Sequence, residues 1–210
     1  MRAIADCRLY GILDLGYVTA QAAPGVLAAM LEGGVEIVQL RAKNVPEQEI
    51  ARLAEQALPL TRAAGVPLIL NDYPELAGRL GVDGVHVGQD DLPVAEARRL
   101  AGGAALVGKS THSIAQAEAA LGEAPDYIGF GPLFATPTKP DYRPIGTGEI
   151  RAVHERVALP VFCIGGIKEE NLEAVLAAGA RRVVIVSGIL QAPDIPAYCR
   201  AVLRKLAAVA

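Results

Sequence analysis

The sequence VFCIGGIKEENLEAVLAAGARRVVIVSG, residues 161–188, predicts a strand, a helix and a second strand in that order. Short apolar runs at 161–164 and 182–186 have the length and composition of buried strands. The alanine-rich stretch 169–178 between them has helical spacing. This order is typical of a parallel βα unit.

The same alternation recurs along the whole chain and predicts the fold. Eight short apolar runs are predicted strands, at residues 8–13, 36–40, 67–70, 84–87, 106–109, 127–130, 161–164 and 182–186. The predicted helices lie at residues 25–31, 47–64, 74–80, 94–100, 114–121, 148–157, 169–178 and 195–207. Consecutive βα units of this number are the pattern of a TIM barrel. We therefore expect an α/β protein, a single (β/α)8 TIM barrel domain of parallel strands over residues 1–210.

Similar helix-to-strand turns precede several of the predicted strands. They lie at residues 32–35, 79–83, 122–126 and 178–180, and each contains glycine. Glycine in such a turn provides a left-handed helix cap. The repetition indicates stacked units of one kind, as a barrel requires.

A doubly wound open sheet is the alternative fold, because it also alternates strands and helices. That fold binds phosphate at its first βα turn, through a GxGxxG motif. Here the first turn, Asp14-Leu15-Gly16-Tyr17, lacks the motif, whereas Gly165-Gly166 follows the seventh predicted strand. These positions favour the barrel.

Composition and charge exclude several classes of partner. The chain is 52% hydrophobic and 20% charged, which suits a protein with one sizeable core. Its net charge of -3 is spread along the chain and gives no basic face for nucleic acid. Apolar runs such as 66–70 and 183–186 are far shorter than the roughly 20 residues that span a membrane. We expect neither nucleic acid nor membrane as a partner, and the sequence leaves the oligomeric state open.

The first residues and the cysteines indicate a cytoplasmic location. Residues 1–10 include charged side chains and lack the apolar stretch and cleavage site of a signal peptide. Cys7, Cys163 and Cys199 are odd in number, widely spaced and without a CxxC motif. This spacing argues against a disulfide framework and against a structural zinc site, so we expect buried thiols.

Polar residues gather where the predicted strands end. In a (β/α)8 barrel the carboxyl ends of all strands open on one face, where active sites lie. Any single polar residue at these positions is better explained as marking the end of a strand. The set, however, combines cations with carboxylates: Arg41, Lys43, Lys139, Asp72 and Asp91. These residue types form magnesium pyrophosphate sites, because Mg²⁺ takes carboxylate and substrate oxygens while Arg and Lys bind phosphate oxygens.

A second phosphate signal lies near the end of the chain. Gly165-Gly166 precedes a predicted helix, where bare backbone amides and the helix amino end favour an anion. Ser187 follows the eighth strand, and the loops after strands seven and eight often hold phosphate in such barrels. Two phosphate sites on one face predict two phosphorylated substrates.

Several stretches of the chain carry longer motifs. They are Gln39-Leu40-Arg41-x-Lys43, Asn71-Asp72, GVHVGQDDL at 84–92, DYIGFGPLFATPTK at 126–139, and IGGI at 164–167. The last is weaker alone, because many phosphate-binding barrels carry something like it. Together they resemble the motifs of the thiamine phosphate synthases, also called thiamine phosphate pyrophosphorylases, and the resemblance runs over residues 9–189.

The resemblance implies a transferase that joins 4-amino-2-methyl-5-(diphosphooxymethyl)pyrimidine to 4-methyl-5-(2-phosphooxyethyl)thiazole, or to its carboxylate, and releases pyrophosphate. It implies Mg²⁺ as the cofactor, held by Asp72 and Asp91. For the pyrimidine diphosphate it implies Gln39, Arg41, Lys43, Asn71, Ser110 and Lys139. For the thiazole phosphate it implies Thr136, Thr138, Gly166, Val186 and Ser187. The expected catalytic residues are Arg41, Lys43, Ser110 and Lys139.

The reaction that the resemblance implies is dissociative and needs no covalent nucleophile. Pyrophosphate leaves first, and the thiazole nitrogen captures the resulting pyrimidine-methyl cation. His86, His112 and His154 have no metal-ligand spacing, and no catalytic role is expected for them. His112 lies nearest the expected mouth of the barrel, but a role in capping the next helix or a position facing solvent is the favoured explanation.

Two departures and two alternative functions stay open at this point. The chain has Ala42 where family members often have glutamate, and GILDLGY at 11–17 differs from the usual Leu-Val-Thr-Asp ending. A thiazole tautomerase would share the barrel without needing the two aspartates and the cations. A non-catalytic sensor of thiamine intermediates would bind thiazole phosphate without releasing pyrophosphate.

Overall fold

Eight parallel strands form a closed barrel in the computed structural model, which describes residues 2–136 and 143–209. The strands are β1 Leu9–Asp14, β2 Ile37–Arg41, β3 Leu68–Asn71, β4 Gly84–Val87, β5 Leu106–Thr111, β6 Tyr127–Phe130, β7 Val161–Cys163 and β8 Val183–Ile185. The helices in this part of the chain are α1 Ala23–Glu32, α2 Glu47–Ala64, α3 Pro74–Leu80, α4 Val94–Leu100, α5 Ile114–Glu123, α6 Ile150–Arg156, α7 Glu169–Ala177, α8 Ser187–Leu190 and α9 Ile195–Ala207. None of these helices is both long and apolar enough to cross a membrane.

The pairing of the first strand with the last closes the sheet. Tyr10 in β1 lies opposite Ile37 in β2 on one side and opposite Val184 in β8 on the other. All of the neighbouring pairs are parallel and follow the order of the sequence. The predicted TIM barrel is confirmed, and the open sheet is excluded.

Two elements were not expected from the sequence. The short helix α8 directly follows β8, where the sequence indicated only a loop at Ser187-Gly188. A 3₁₀ helix, Ile4–Asp6, precedes β1. Both are single turns, which are too short to produce a periodic apolar pattern in the sequence.

The apolar core has two parts, because each strand alternates its side chains between the two faces of the barrel. The larger part lies between the strands and the helices. The smaller part fills the barrel interior and includes Tyr10, Tyr127 and Phe162, whose rings meet edge to face. Ile4 and Cys7 pack against this inner cluster from the amino-terminal end of the barrel.

All three cysteines are buried and free, as the sequence predicted. Burial raises the pKa of Cys7, Cys163 and Cys199 to about 12, so these thiols stay protonated and unreactive near neutral pH.

The repeated helix-to-strand turns have a structural role. Three of them lead to an acidic residue, and its carboxylate accepts a backbone N–H from the preceding strand. Glu36 accepts from Leu9 at 3.0 Å, Asp83 from Leu68 at 2.8 Å, and Asp126 from Val107 at 2.7 Å. Each carboxylate therefore joins two neighbouring strands at the amino-terminal end of the barrel. The fourth turn leads to Arg181 and Arg182 instead.

We predict that Asp83→Ala lowers the free energy of unfolding by about 1–3 kcal/mol, because the buried N–H of Leu68 loses its acceptor. Urea unfolding followed by circular dichroism measures this loss. Asp83→Asn keeps an acceptor oxygen and should retain most of the stability. Glu55→Ala, at an exposed position on α2, is the control and should change stability by less than about 0.5 kcal/mol. Equal free energies of unfolding for Asp83→Ala and Glu55→Ala would show that the Asp83 carboxylate does not stabilise the barrel.

Candidate active site

A pocket opens at the carboxyl-terminal end of the barrel and is lined by residues from all eight strands or the loops that follow them. Most of the residues predicted for substrate binding line this pocket. They are Gln39, Arg41, Asn71, Ser110, Thr136, Gly166, Val186 and Ser187. Thr138 and Lys139 lie outside the described residues.

Lys43, Asp72 and Asp91 form a charged cluster beside this pocket. The Lys43 ammonium donates to a carboxylate oxygen of Asp72. Asp72 and Asp91 are close enough for their carboxyl groups to hydrogen-bond. Burial raises the pKa of Asp72, Lys43 opposes that rise, and the neighbouring Asp91 adds to it. The cluster thus holds two carboxylates in contact, an arrangement that a cation stabilises.

The loop backbone helps to fix both aspartates. Asp72 has a left-handed backbone with φ 67°, and its N–H donates to the carbonyl of His86 at 3.0 Å. Asp91 accepts the N–H of Gly88 at 2.6 Å. Within residues 2–136 and 143–209, no group of three or more Asp, Glu, His or Cys side chains has a metal-binding arrangement. Two carboxylates are therefore the oxygen ligands that the described residues offer to a cation at this position.

Arg41 is oriented by a buried carboxylate that the sequence analysis missed. Asp14 ends β1, is 1% exposed, and accepts from the Arg41 guanidinium at 2.6 Å. Its second oxygen accepts the N–H of Gly16 at 2.9 Å. Asp14 lies opposite Arg41 in the barrel register, and that pairing is the signal that would have revealed it. The divergent first loop therefore begins with the residue that orients Arg41.

A chain of hydrogen bonds crosses the floor of the pocket. The Gln39 amide donates to the Tyr10 hydroxyl at 2.8 Å, and that hydroxyl lies 2.9 Å from the hydroxyl of Tyr127. The Tyr127 hydroxyl lies 3.3 Å from Nδ1 of His86, whose Nε2 lies 2.9 Å from the Ser110 hydroxyl. Gln39 and Ser110 were predicted from the sequence as site residues. Tyr10, Tyr127 and His86, which connect them, were not.

Burial keeps the two phenols of this chain neutral. Tyr10 and Tyr127 are almost completely inaccessible, and burial is the main cause that raises the pKa of each well above the usual range of tyrosine. A Cβ at Gly108 would collide with the rings of Tyr127 and His86, so only glycine leaves room for them. No local sequence pattern indicates this packing, because the residues come from four different strands.

His112 faces the pocket, contrary to the expectation that it caps a helix or faces solvent. Its Nδ1 lies 2.5 Å from the carbonyl oxygen of Gly131, and the residue lines the pocket. The N-cap of α5 is Ser113, whose hydroxyl accepts the N–H of Gln116. His112 therefore contacts the loop after β6 across the mouth.

The loops after β6 and β7 are hydrogen-bonded to each other. Gly165 and Gly166 have left-handed backbones with φ 100° and 64°, and a Cβ on Gly165 would collide with Pro132. The N–H groups of Leu133 and Phe134 donate to the carbonyls of Ile164 and Gly165 at 2.8 and 3.0 Å. The glycine pair thus permits a close approach of the two loops while Gly166 and Ser187 line the pocket.

Comparison with known proteins agrees with this arrangement. The sequence profile of a family described as thiamine monophosphate synthase matches residues 9–189. The chain belongs to this family. Among relatives of the family, the thiamine-phosphate synthase of Chloroflexus aurantiacus is 43% identical over 207 residues, 98% of this chain and 95% of that protein. The thiamine-phosphate synthase of Thermus thermophilus is 49% identical over 181 residues, 86% of this chain and 87% of that protein.

A solved structure extends the agreement to the fold. The thiamine phosphate pyrophosphorylase of Pyrococcus furiosus superposes with a TM-score of 0.89 at 28% identity, over 99% of each chain. The predicted family, the barrel and the predicted transferase activity, thiamine-phosphate synthase, are thereby confirmed. The roles of the individual residues stay predictions.

We predict that Asp14→Ala lowers kcat/KM for thiamine phosphate formation about 10- to 100-fold. The reason is that Arg41 loses a charge-assisted hydrogen bond, worth about 1.5–3 kcal/mol, that orients its guanidinium. Steady-state kinetics of the purified variant measure the loss. Asp14→Asn keeps an acceptor oxygen without the charge, and its kcat/KM should lie between that of Asp14→Ala and that of the parent protein. An unchanged kcat/KM in folded Asp14→Ala would mean that Arg41 holds its position without this partner.

Proposed function

We propose that this synthase joins 4-amino-2-methyl-5-(diphosphooxymethyl)pyrimidine to 4-methyl-5-(2-phosphooxyethyl)thiazole, or to the carboxylate of that thiazole, and releases pyrophosphate. The observation that carries the proposal is the meeting, at one barrel mouth, of the Lys43–Asp72–Asp91 cluster, Arg41 and the glycine loop. Small molecules are the only partners that this proposal requires. The free thiols favour a cytoplasmic location.

The pyrimidine diphosphate would bind on the side of β2 to β5. Arg41 and Lys43 supply positive charge for the diphosphate, and Lys139 would supply more from the loop after β6. Gln39, Asn71 and Ser110 supply amide and hydroxyl groups for the pyrimidine ring. The bond from His86 to Ser110 holds that hydroxyl in place.

Asp72 and Asp91 would hold Mg²⁺. The donor set fits this ion, because Mg²⁺ is commonly bound by one or two carboxylates while water and substrate phosphate oxygens complete its octahedron. The proximity of the two carboxyl groups also fits, since a cation bound by both would offset their mutual repulsion. When bound, the ion would neutralise charge on the diphosphate.

The chain's own contribution to the reaction is electrostatic. The bond between the pyrimidine methylene carbon and the diphosphate oxygen breaks, and its electron pair leaves with pyrophosphate. Arg41 and Lys43, each paired with a carboxylate, would stabilise that departing charge from positions already set before the reaction, and Lys139 would add positive charge. The thiazole nitrogen then donates its lone pair to the pyrimidine-methyl cation and forms the new carbon–nitrogen bond.

The thiazole phosphate would bind on the opposite side of the mouth. Thr136, Gly166, Val186 and Ser187 line that side of the pocket, and Thr138 would join them from the loop after β6. Holding the two rings in line in one pocket converts a meeting of two substrates into a step within one complex. A tautomerase or a sensor would need no Asp72–Asp91 pair with Lys43, so neither alternative is favoured.

We predict that Asp72→Ala and Asp91→Ala each lower turnover about 100-fold or more, because each removes one of two carboxylates that hold the cation. The assay measures thiamine phosphate from the two substrates with Mg²⁺ and after EDTA treatment. The parent should lose activity with EDTA and recover it with added Mg²⁺. Asp90→Ala, one residue away from Asp91, is the matched control and should keep near-normal turnover. Near-normal rates in both aspartate variants, or full activity in EDTA, would defeat the assignment.

We predict that Lys139→Ala also lowers turnover about 100-fold, because the variant loses the positive charge proposed to stabilise the leaving pyrophosphate. Single-turnover measurement of pyrophosphate release reports this step directly. Lys139→Arg keeps the charge and should recover part of the rate. An unaffected rate of release in Lys139→Ala would contradict the role assigned to this lysine.

A further inference from the structure

A second cleft lies at the other end of the barrel, where α6 and α7 pack beside the start of β8. We call it the basal cleft. Its lining residues that carry the argument are Arg151, His154, Glu155, Gly179 and Arg181. It is open to solvent and has a volume of ≈ 200 Å³. That volume accommodates a phosphate group with several waters, at about 15 Å³ for each water.

The basal cleft has more positive than negative charge. Arg151 and Arg181 line it against the single carboxylate of Glu155. Within residues 2–136 and 143–209, neither arginine forms an ion pair, although twelve such pairs exist elsewhere. Nε2 of His154 is buried and, in the same residues, has no hydrogen-bond partner. A buried polar atom without a partner is rare in proteins, and a bound anion or a water would supply the partner here.

The basic groups also act on one another. Burial, together with smaller contributions from Arg181 and Arg182, lowers the pKa of His154 to about 4. Arg182 lies next to Arg181 in the chain, and burial together with Arg181 lowers its pKa as well. These groups are therefore close enough to repel one another. Such repulsion is relieved when an anion binds between them.

The contrast with the other helix-to-strand turns shows that this charge is local. Glu36, Asp83 and Asp126 follow the three other turns and hold neighbouring strands together. At the turn before β8, Arg181 and Arg182 take the place of the acid. A Cβ added to Gly179 would lie at van der Waals distance from the backbone of Arg151, so this turn lies close to α6. The amino-terminal end of the barrel is thus acidic at three turns and basic at the fourth.

We propose that the basal cleft binds a small phosphate-bearing anion between Arg151 and Arg181, with His154 as a further hydrogen-bonding group. A guanidinium matches two phosphate oxygens in its planar fork, and two arginines facing one cleft match a doubly charged group. The site is separate from the barrel mouth and does not depend on the proposed function.

The three histidines make the test selective. His86 and His112 report on the pocket at the mouth, whereas His154 alone lies in the basal cleft. Imidazole signals of labelled protein are followed by NMR while inorganic phosphate, pyrophosphate or thiamine phosphate is added at constant pH and ionic strength. We expect the His154 signal to shift saturably, with a dissociation constant different from that read at His86 and His112. The three probes distinguish free phosphate from a phosphate-bearing metabolite as the preferred anion.

Charge-matched variants separate binding from general attraction. Arg151→Gln/Arg181→Gln should weaken the His154 response at least tenfold and leave the response of His86 and His112 unchanged. Arg52→Gln/Arg99→Gln removes the same charge from exposed positions on α2 and α4 and should leave both responses unchanged. An equal loss of the His154 response in both double variants, or a His154 shift that never saturates, would overturn the proposal. Either result would mean that the cleft attracts an adventitious ion only. A His154 shift that depends on protein concentration instead of phosphate concentration would also overturn the proposal, because the cleft would then be an interface between copies of this chain.

Discussion

Closure of the parallel sheet is the constraint on which the rest of the structure depends. Because β1 pairs with both β2 and β8, the carboxyl ends of all strands meet at one mouth, and all amino ends meet at the other. Closure also creates an interior that side chains must fill. Tyr10, Tyr127 and Phe162 fill it with edge-to-face contacts, and the top of this inner core is the floor of the active-site pocket.

Because the floor of the pocket is apolar, a polar group buried there destabilises the fold unless it has a hydrogen-bond partner. The hydrogen-bond chain from Gln39 through Tyr10, Tyr127 and His86 to Ser110 satisfies these groups and also fixes them. Arg41 is also satisfied and oriented, because its guanidinium donates to the buried carboxylate of Asp14. Fixed cations and hydroxyls suit a reaction whose difficult step is the departure of a charged group, since stabilisation then requires no rearrangement.

The two ends of the barrel use charge differently. At the mouth, cations and carboxylates alternate in space, with Lys43 against Asp72 and Arg41 against Asp14. At the amino-terminal end, carboxylates satisfy strand N–H groups at three turns, and the fourth turn collects arginines without a carboxylate partner among the described residues. The first arrangement is the proposed substrate site, and the second joins neighbouring strands. The turn before β8 is the exception and contributes to the proposed anion site.

The sequence by itself determined the βα order, the barrel, the family and the residues at the strand ends, because strand alternation, glycine turns and the QLRxK and GQDDL motifs are local patterns. It also determined that Cys7, Cys163 and Cys199 are buried thiols, since their spacing fits neither a disulfide framework nor a zinc site. Only the tertiary structure decided that Asp14 orients Arg41, that Tyr10, Tyr127 and His86 connect Gln39 to Ser110, and that His112 faces the pocket. These contacts join residues of different strands. The register between neighbouring strands and the space beside Gly108 determine which side chains meet. Neither the register nor this space can be read from a local sequence pattern.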